Sequence, residues 1–137
     1  MITYTDSTEG ITADQLTGFF VGWPNPPSPE THLRILAASD AIELAVDDGA
    51  GRVVGFMNAI TDGILCVYFP LLEVLPEYQQ KGIGTELTRR MLERFKNIYM
   101  VDLLCDVSVQ PFYERLGLKP ATGAALRQFE HQSGRSE

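Results

Sequence analysis

The sequence predicts an α/β (α+β) domain built on one mixed, mostly antiparallel sheet, and three observations carry that prediction. Two strand-like segments flank a tight turn in "AIELAVDDGAGRVVGFMNAI", the signature of a hairpin. An apolar run, "ILCVYFPLLEVL", passes through two glycines into a segment whose apolar residues recur at helical spacing. A second apolar run, "YMVDLLCDV", follows that helix, so the two runs read as parallel strands joined by a right-handed crossover.

The elements follow in order. "ITYT", Ile2 to Thr5, alternates like a strand. Thr12 to Phe20 reads as a short helix with Thr12 as N-cap. Val21 to Glu30 holds four of the chain's eight prolines, which fix φ and push preceding residues out of the helical region, so a stiff irregular loop is expected. Ser28 then caps a second helix with Pro29 at its first position. Ala41–Val46 and Arg52–Ile60 form the hairpin, and Asp62–Gly63 signals a second one.

Ile64 to Leu75 is apolar on both faces and predicts a central strand buried on both sides. Pro70 inside it cannot donate a ladder hydrogen bond, so a bulge or a break in pairing is expected there. Ile83, Leu87, Met91, Leu92 and Phe95 place a helix over roughly Gly84 to Lys96. Tyr99 to Val107 is expected as another buried strand, and Gln110 to Gly117 as a short helix stopped by its glycine. Ala125 to Glu130 reads as a last edge strand, and the end from about residue 131 as a frayed tail. The order is β-α-α-β-β-β-α-β-α-β, and the 137 residues are read as one domain.

Composition excludes several function classes. The net charge is −7, which argues against nucleic acid as a partner, because phosphates are neutralised by clustered Lys and Arg. The one basic cluster is Lys81, Arg89, Arg90 and Arg94. No apolar run approaches the ~20 residues that span a bilayer, and "MITYTDSTEG" is too polar for a signal peptide, so a cytoplasmic protein without membrane association is expected. Cys66 and Cys105 lie in apolar runs and read as small buried hydrophobes. With His32 and His131 far away in sequence, they lack zinc-ligand spacing, and no metal is expected.

The chemistry concentrates at "PEYQQKGIGTELTRR". The first N–H groups of a helix lack intrahelical partners, and the helix dipole adds partial positive charge there. Glycines ahead of that end remove side chains that keep a ligand away, so strand, glycines and helix make a phosphate cradle. By itself this is equally a tight strand-to-helix turn. It lacks the Gly-Lys-Ser/Thr of a P-loop and the third glycine of a dinucleotide-binding turn.

Two motifs narrow the reading. Gln79-Gln80-Lys81-Gly82-Ile83-Gly84, preceded by "VLPEY", resembles the acyl-CoA signature (Gln/Arg-x-x-Gly-x-Gly/Ala) of the GNAT N-acyltransferase superfamily. Further on, "DVSVQPFYERLGLKP" resembles that family's "N-x-x-A-x-x-FY-x-x-x-GF" segment, with Asp106 at the Asn position and Val109 at the Ala position. The motifs cover roughly Val53 to Lys119, and the N-terminal part matches by layout only.

The resemblance implies a GNAT fold with a splayed pair of parallel strands and acetyl-CoA as acyl donor. The N–H groups from Gln80 to Thr85, with Gln79 and Lys81, would hold the CoA pyrophosphate. A slot between the strand ending at Val74 and the strand at Tyr99–Cys105 would take pantetheine. The N–H near Val74–Leu75 would polarise the acetyl carbonyl, an effect worth about 3 kcal/mol per well-placed donor. Phe112 would contact the donor or the core. Asp106 departs from the family's Asn, since a carboxylate accepts but does not donate.

Tyr113 of "FY" would sit near the sulfur, where a phenol can protonate the leaving thiolate. Glu73 and Tyr68 are the candidate general bases, expected on opposite faces of their strand unless a bulge intervenes. Glu73, a carboxylate in an apolar run, is equally explained as a structural hydrogen-bonded residue. Trp23 in "FFVGWPNPP" reads either as the wall of an acceptor pocket for a cationic amine or as a plug against the core. "VGWP" also resembles the plant and bacterial branch that includes serotonin N-acetyltransferases, which favours a small primary amine as partner over a protein tail. Three readings stand: a small-molecule N-acetyltransferase, a protein lysine or N-terminal acetyltransferase, and a non-catalytic CoA-binding module. A homodimer is possible in such a family, although no sequence feature marks an interface.

Overall fold

The computed structural model describes residues 1–135, so Ser136 and Glu137 of the expected tail lie outside the described residues. Six strands form one sheet in the order β1-β2-β3-β4-β6, with β5 also paired to β3. The strands are β1 (Ile2–Thr5), β2 (Ala41–Asp47), β3 (Arg52–Thr61), β4 (Cys66–Tyr68), β5 (Leu72–Val74) and β6 (Met100–Asp102). The helices are α1 (Pro29–Ala38), α2 (Ile83–Arg94) and α3 (Gln110–Glu114). All strand pairs are antiparallel except β4 with β6. That parallel pair is joined through β5 and α2, the crossover the sequence predicts.

Local sequence signals explain the elements that form as expected. Ser28 Oγ accepts the Thr31 N–H at 3.1 Å, capping α1 with Pro29 in its first turn. The β2–β3 turn is closed by Asp47, whose Oδ1 accepts the Gly49 and Ala50 N–H groups. The core lies between this hairpin and the helices, where Leu44, Val54, Phe56, Met57, Leu87 and Met91 are fully buried. Each such side chain contributes about 1.5–3 kcal/mol of apolar burial. Among the described residues no helix is long and apolar enough to cross a membrane.

Five expectations are corrected. The Thr12–Phe20 helix is only a 3-10 turn, Ala13–Leu16, because Gly18 and Phe20 adopt left-handed backbone (φ 94 and 64) that a helix cannot contain. The Ile64–Leu75 run is not one doubly buried strand. Its first residues, Ile64 and Leu65, are exposed in a turn whose N–H groups bond Asp62 Oδ1 at 2.8 and 2.9 Å. Pro70 then breaks the run into β4 and β5, as its missing N–H requires. The buried Asn58 mends the gap: its Oδ1 accepts the Leu71 N–H at 3.0 Å, and its own N–H bonds Leu71 O at 3.2 Å.

The Tyr99–Val107 strand shrinks to Met100–Asp102 and lies at the sheet's edge, with Tyr99, Leu104 and Val107 exposed. Ala125–Glu130 forms no strand; the only regular structure there is a 3-10 turn at Phe129–His131. Cys66 is half-buried and Cys105 exposed, so neither is a buried hydrophobe, and both are free thiols. For Ile64–Leu65, Tyr99–Val107 and the two cysteines the apolar pattern alone predicts burial, but burial also needs a neighbour to cover it. Two residues past His131 contact the N-terminal part of the chain: Gln132 Oε1 accepts the Asn25 N–H of the proline-rich loop at 2.8 Å, and Arg135 O accepts from Arg34 of α1 at 2.9 Å.

Candidate active site

The turn before α2 is built by backbone conformation. Gln80 (φ 62) and Gly82 (φ 83) are left-handed and flank Lys81, an alternation that turns successive N–H groups to one side. A Cβ on Gly82 would meet no atom within 4 Å, so glycine is needed there for its φ and not for space. The first α2 hydrogen bond runs from Glu86 N–H to Gly82 O at 3.0 Å. The N–H groups of Ile83, Gly84 and Thr85 precede it and have no intrahelical acceptor.

Three ties hold this turn. Tyr78 OH donates to Asp47 Oδ2 at 2.6 Å, fastening the turn to the β2–β3 hairpin and holding the Asp47 carboxyl below its ordinary range. Gln79 Nε2 donates to Val74 O at 3.0 Å, fastening it to the end of β5. Lys81 Nζ stands 5.7 Å from the Tyr78 ring centroid. Arg89 and Arg90 pair with Glu86, and Arg94 with Glu43 and Asp6. Lys81 is therefore the one member of the basic cluster without an ion pair among the described residues.

The sheet opens beside this turn. Phe69 N–H donates to Asp102 O at 3.0 Å, the last bond between the β4 segment and β6. Beyond it the chain leaves β6 and pairs only with β3, through Leu72, Glu73 and Val74. The expected splay is present, produced by the break at Pro70. Leu75 N–H is taken by Val54 O at 2.9 Å. Strand alternation turns the Val74 N–H the other way, toward the opening.

Side chains from both motifs meet there. A Cβ on Gly84 would lie 3.7 Å from Phe112 Cζ and 3.7 Å from Val74 Cγ2, so α2, α3 and β5 converge within van der Waals reach. Tyr113 packs edge-on against Phe112 with ring centroids 4.9 Å apart. It is 9% exposed, and burial pushes its hydroxyl up to about 12, with Cys105 adding to the rise. Tyr68 and Tyr113 line one groove of about 740 Å³ along β6 and its continuation. Asp106 is exposed and its backbone O accepts the Val109 N–H at 2.9 Å.

Glu73 lies elsewhere. Its Oε1 accepts the Phe20 N–H at 2.8 Å and its Oε2 the Val21 N–H at 3.2 Å, clamping the left-handed Phe20 turn. Trp23 is 37% exposed, packs on Phe20 at 4.8 Å, and lines a second groove of about 520 Å³ with Arg127 and Phe129. Beneath Phe20 is His32, 1% exposed among Phe19, Phe20 and Phe56, with no partner for either ring nitrogen among the described residues. Burial lowers its pKa to about 4. The Phe20 turn and the Tyr78–Asp47 tie had no local signal, since their partners are distant in sequence.

Residues 35–120 match the family model described as "Acetyltransferase (GNAT) domain". The chain belongs to the GNAT acetyltransferase family. A putative acetyltransferase from Deinococcus radiodurans R1 is 49% identical, with a TM-score of 0.96 over 99% of this chain and 94% of that one. A GNAT family acetyltransferase from Streptococcus pneumoniae TIGR4 is 31% identical, with a TM-score of 0.74 over 93% and 98% of the two chains. The "GCN5-related N-acetyltransferase 1, chloroplastic" of Arabidopsis thaliana is 30% identical over 115 residues, 81% of this chain. The present chain spans only 58% of that curated relative.

GNAT acetyltransferases use acetyl-CoA, and the turn of this GNAT domain fits its pyrophosphate. N–H groups without an intrahelical acceptor at a helix N-terminus, an open left-handed Gly82 and a Lys81 ammonium with no ion pair among the described residues are the donor set that a diphosphate needs.

Proposed function

We propose that the chain is an N-acetyltransferase that acylates the primary amine of a small molecule, by direct attack in a ternary complex. The meeting of Val74, Gly84 and Phe112 supports this reading most, because it joins a phosphate-type turn, an outward strand N–H and a buried phenol. Acetyl-CoA supplies the thioester, whose C–S bond breaks as the amine nitrogen bonds the acetyl carbon.

On this reading the N–H groups from Gln80 to Thr85 and the Lys81 ammonium hold the pyrophosphate, while Gln79 positions the turn. The Val74 N–H donates to the acetyl oxygen, since the Leu75 N–H is taken by Val54 O. Phe112 walls the slot. A Tyr113 hydroxyl held near 12 stays protonated at working pH. Full proton transfer to a thiolate of pKa ~8.5 would be uphill by about 5 kcal/mol, so Tyr113 acts by donating a hydrogen bond to the leaving sulfur. The amine's proton leaves through water beside Tyr68, and Asp106 accepts from the pantetheine arm. Glu73 sets the Phe20–Trp23 wall and offers its negative charge to an incoming ammonium. The aromatic wall and the net charge of −7 suit a cationic amine with an apolar body. A cytoplasmic setting, reducing enough to keep Cys66 and Cys105 free, belongs to the same proposal.

Saturating acetyl-CoA is expected to raise the melting temperature, by the equivalent of about 2.7 kcal/mol at a hundredfold excess over Kd. No shift at millimolar ligand would sink the reading. Free-thiol release measured across amines and peptides then separates small-molecule from protein acceptors. Tyr113→Phe should lower kcat roughly 10²-fold with little change in acetyl-CoA affinity. Unchanged kcat removes Tyr113 from the chemistry.

A further inference from the structure

The cations around the glycine turn are held in two ways. Arg89 and Arg90 are taken by Glu86, and Arg94 by Glu43 and Asp6. Lys81 instead stands 5.7 Å from the centroid of the Tyr78 ring. Glu77 adjoins Tyr78 in the chain, yet no ion pair among the described residues joins it to Lys81. The difference matters for a ligand. A carboxylate partner competes with a phosphate for the N–H groups of an ammonium. An aromatic face attracts the charge and leaves the N–H groups that point away from it open to an acceptor.

Tyr78 is itself fixed at several points. Its N–H donates to Leu75 O at 2.9 Å within the 3-10 turn Pro76–Tyr78, and its ring packs against the core. Its hydroxyl donates to Asp47 Oδ2 at 2.6 Å, and Asp47 Oδ1 is anchored in turn by the Gly49 and Ala50 N–H groups. This bond holds the Asp47 carboxyl below its ordinary range and pushes the Tyr78 hydroxyl above its own, so acceptor and donor keep their roles at neutral pH. A phenol that donates to a carboxylate gains electron density on its ring, which strengthens the ring's pull on a cation. The left-handed Gln80 lies between Tyr78 and Lys81 and bends the chain so that Lys81 returns over the ring.

We infer that Tyr78 is a positioning residue of the diphosphate site, resting the Lys81 ammonium on its Asp47-anchored ring beside the α2 N-terminus, from where a phosphate takes it over. The inference rests on the acetyl-CoA reading of the turn and adds a residue that acts through Lys81. A lysine on its flexible stem loses rotamer freedom when it grips a ligand. One already rested beside the ligand's place loses less, so the gain appears in affinity for the donor.

A double-mutant cycle read by calorimetric titration of acetyl-CoA into the full chain tests this coupling. Lys81→Ala is expected to weaken binding about tenfold, the loss of one charge-assisted contact to phosphate. Tyr78→Leu should weaken it about fivefold, and adding Lys81→Ala to Tyr78→Leu should then cost only about twofold. Tyr78→Phe keeps the ring and loses its anchor, so binding should fall about twofold and Lys81→Ala in that background should cost about fivefold. Urea midpoints check that each variant is folded, and the Tyr78→Phe cycle decides the matter if Tyr78→Leu is not. A Lys81→Ala cost that stays tenfold without the tyrosine overturns the inference, because a tyrosine that only braces the fold is additive with Lys81. So does a folded Tyr78→Leu that binds as tightly as the wild type. A wild type that gives no binding heat sinks the acetyl-CoA reading itself, and this inference with it.

Discussion

The two flanks of the splayed slot are made differently. On the α2 side, the glycine turn is tied to the β2–β3 hairpin through Tyr78 and to β5 through Gln79, over a core in which Ile83, Leu87 and Met91 are buried. On the β6 side, a three-residue strand and the segment around Leu126 leave large apolar residues in water. The closed flank is finished by its own chain, whereas the open flank has backbone and apolar surface left over. Buried packing holds the first flank, and the second keeps apolar side chains in water.

Matched substitutions test that division, the largest effect first. Leu87→Ala, fully buried under the sheet, should cost about 2–5 kcal/mol in chemical denaturation. Leu126→Ala, exposed in water, should leave stability within ~0.5 kcal/mol. Equal losses would erase the distinction.

The buried His32 gives the next test. His32 titrates near 4 when folded and near 6.5 when unfolded, so the unfolded chain binds the proton first as pH falls. Stability is therefore complete above pH 6.5 and declines by up to about 3 kcal/mol as pH drops to 4. His32→Leu should flatten that part of the pH–stability curve. A curve that keeps its slope without His32 assigns the slope to another group. The smallest effect compares two serines. Ser28→Ala removes the α1 cap and should cost about 1 kcal/mol. Ser108→Ala, exposed in the Val107–Val109 turn, should be silent in the same melt.

The same division explains what the sequence made legible. The β2–β3 hairpin, the Ser28 cap, α2 and its glycine turn were readable because their causes lie within a few residues. Pro70 announced a break, and the break is what separates β5 from β6. Other features depend on distant partners. Glu73 looked like a base or a structural carboxylate, and only the fold brings it to the Phe20 and Val21 N–H groups. The runs Ile64–Leu65 and Tyr99–Val107 read as buried because apolar pattern records what a segment can bury, not whether a neighbour arrives. Phe20's left-handed backbone carried no signal at all, since a bulky residue is among the least expected there.

The Gln79–Val74 bond has a mechanical consequence. Val74 O and the Val74 N–H lie on the same side of β5, and Gln79 grips that side from the turn, five residues along the chain. One amide side chain thus acts as a gauge block between the helix N-terminus and the strand end. A ligand long enough to touch both meets two contact points whose separation is already set before it arrives.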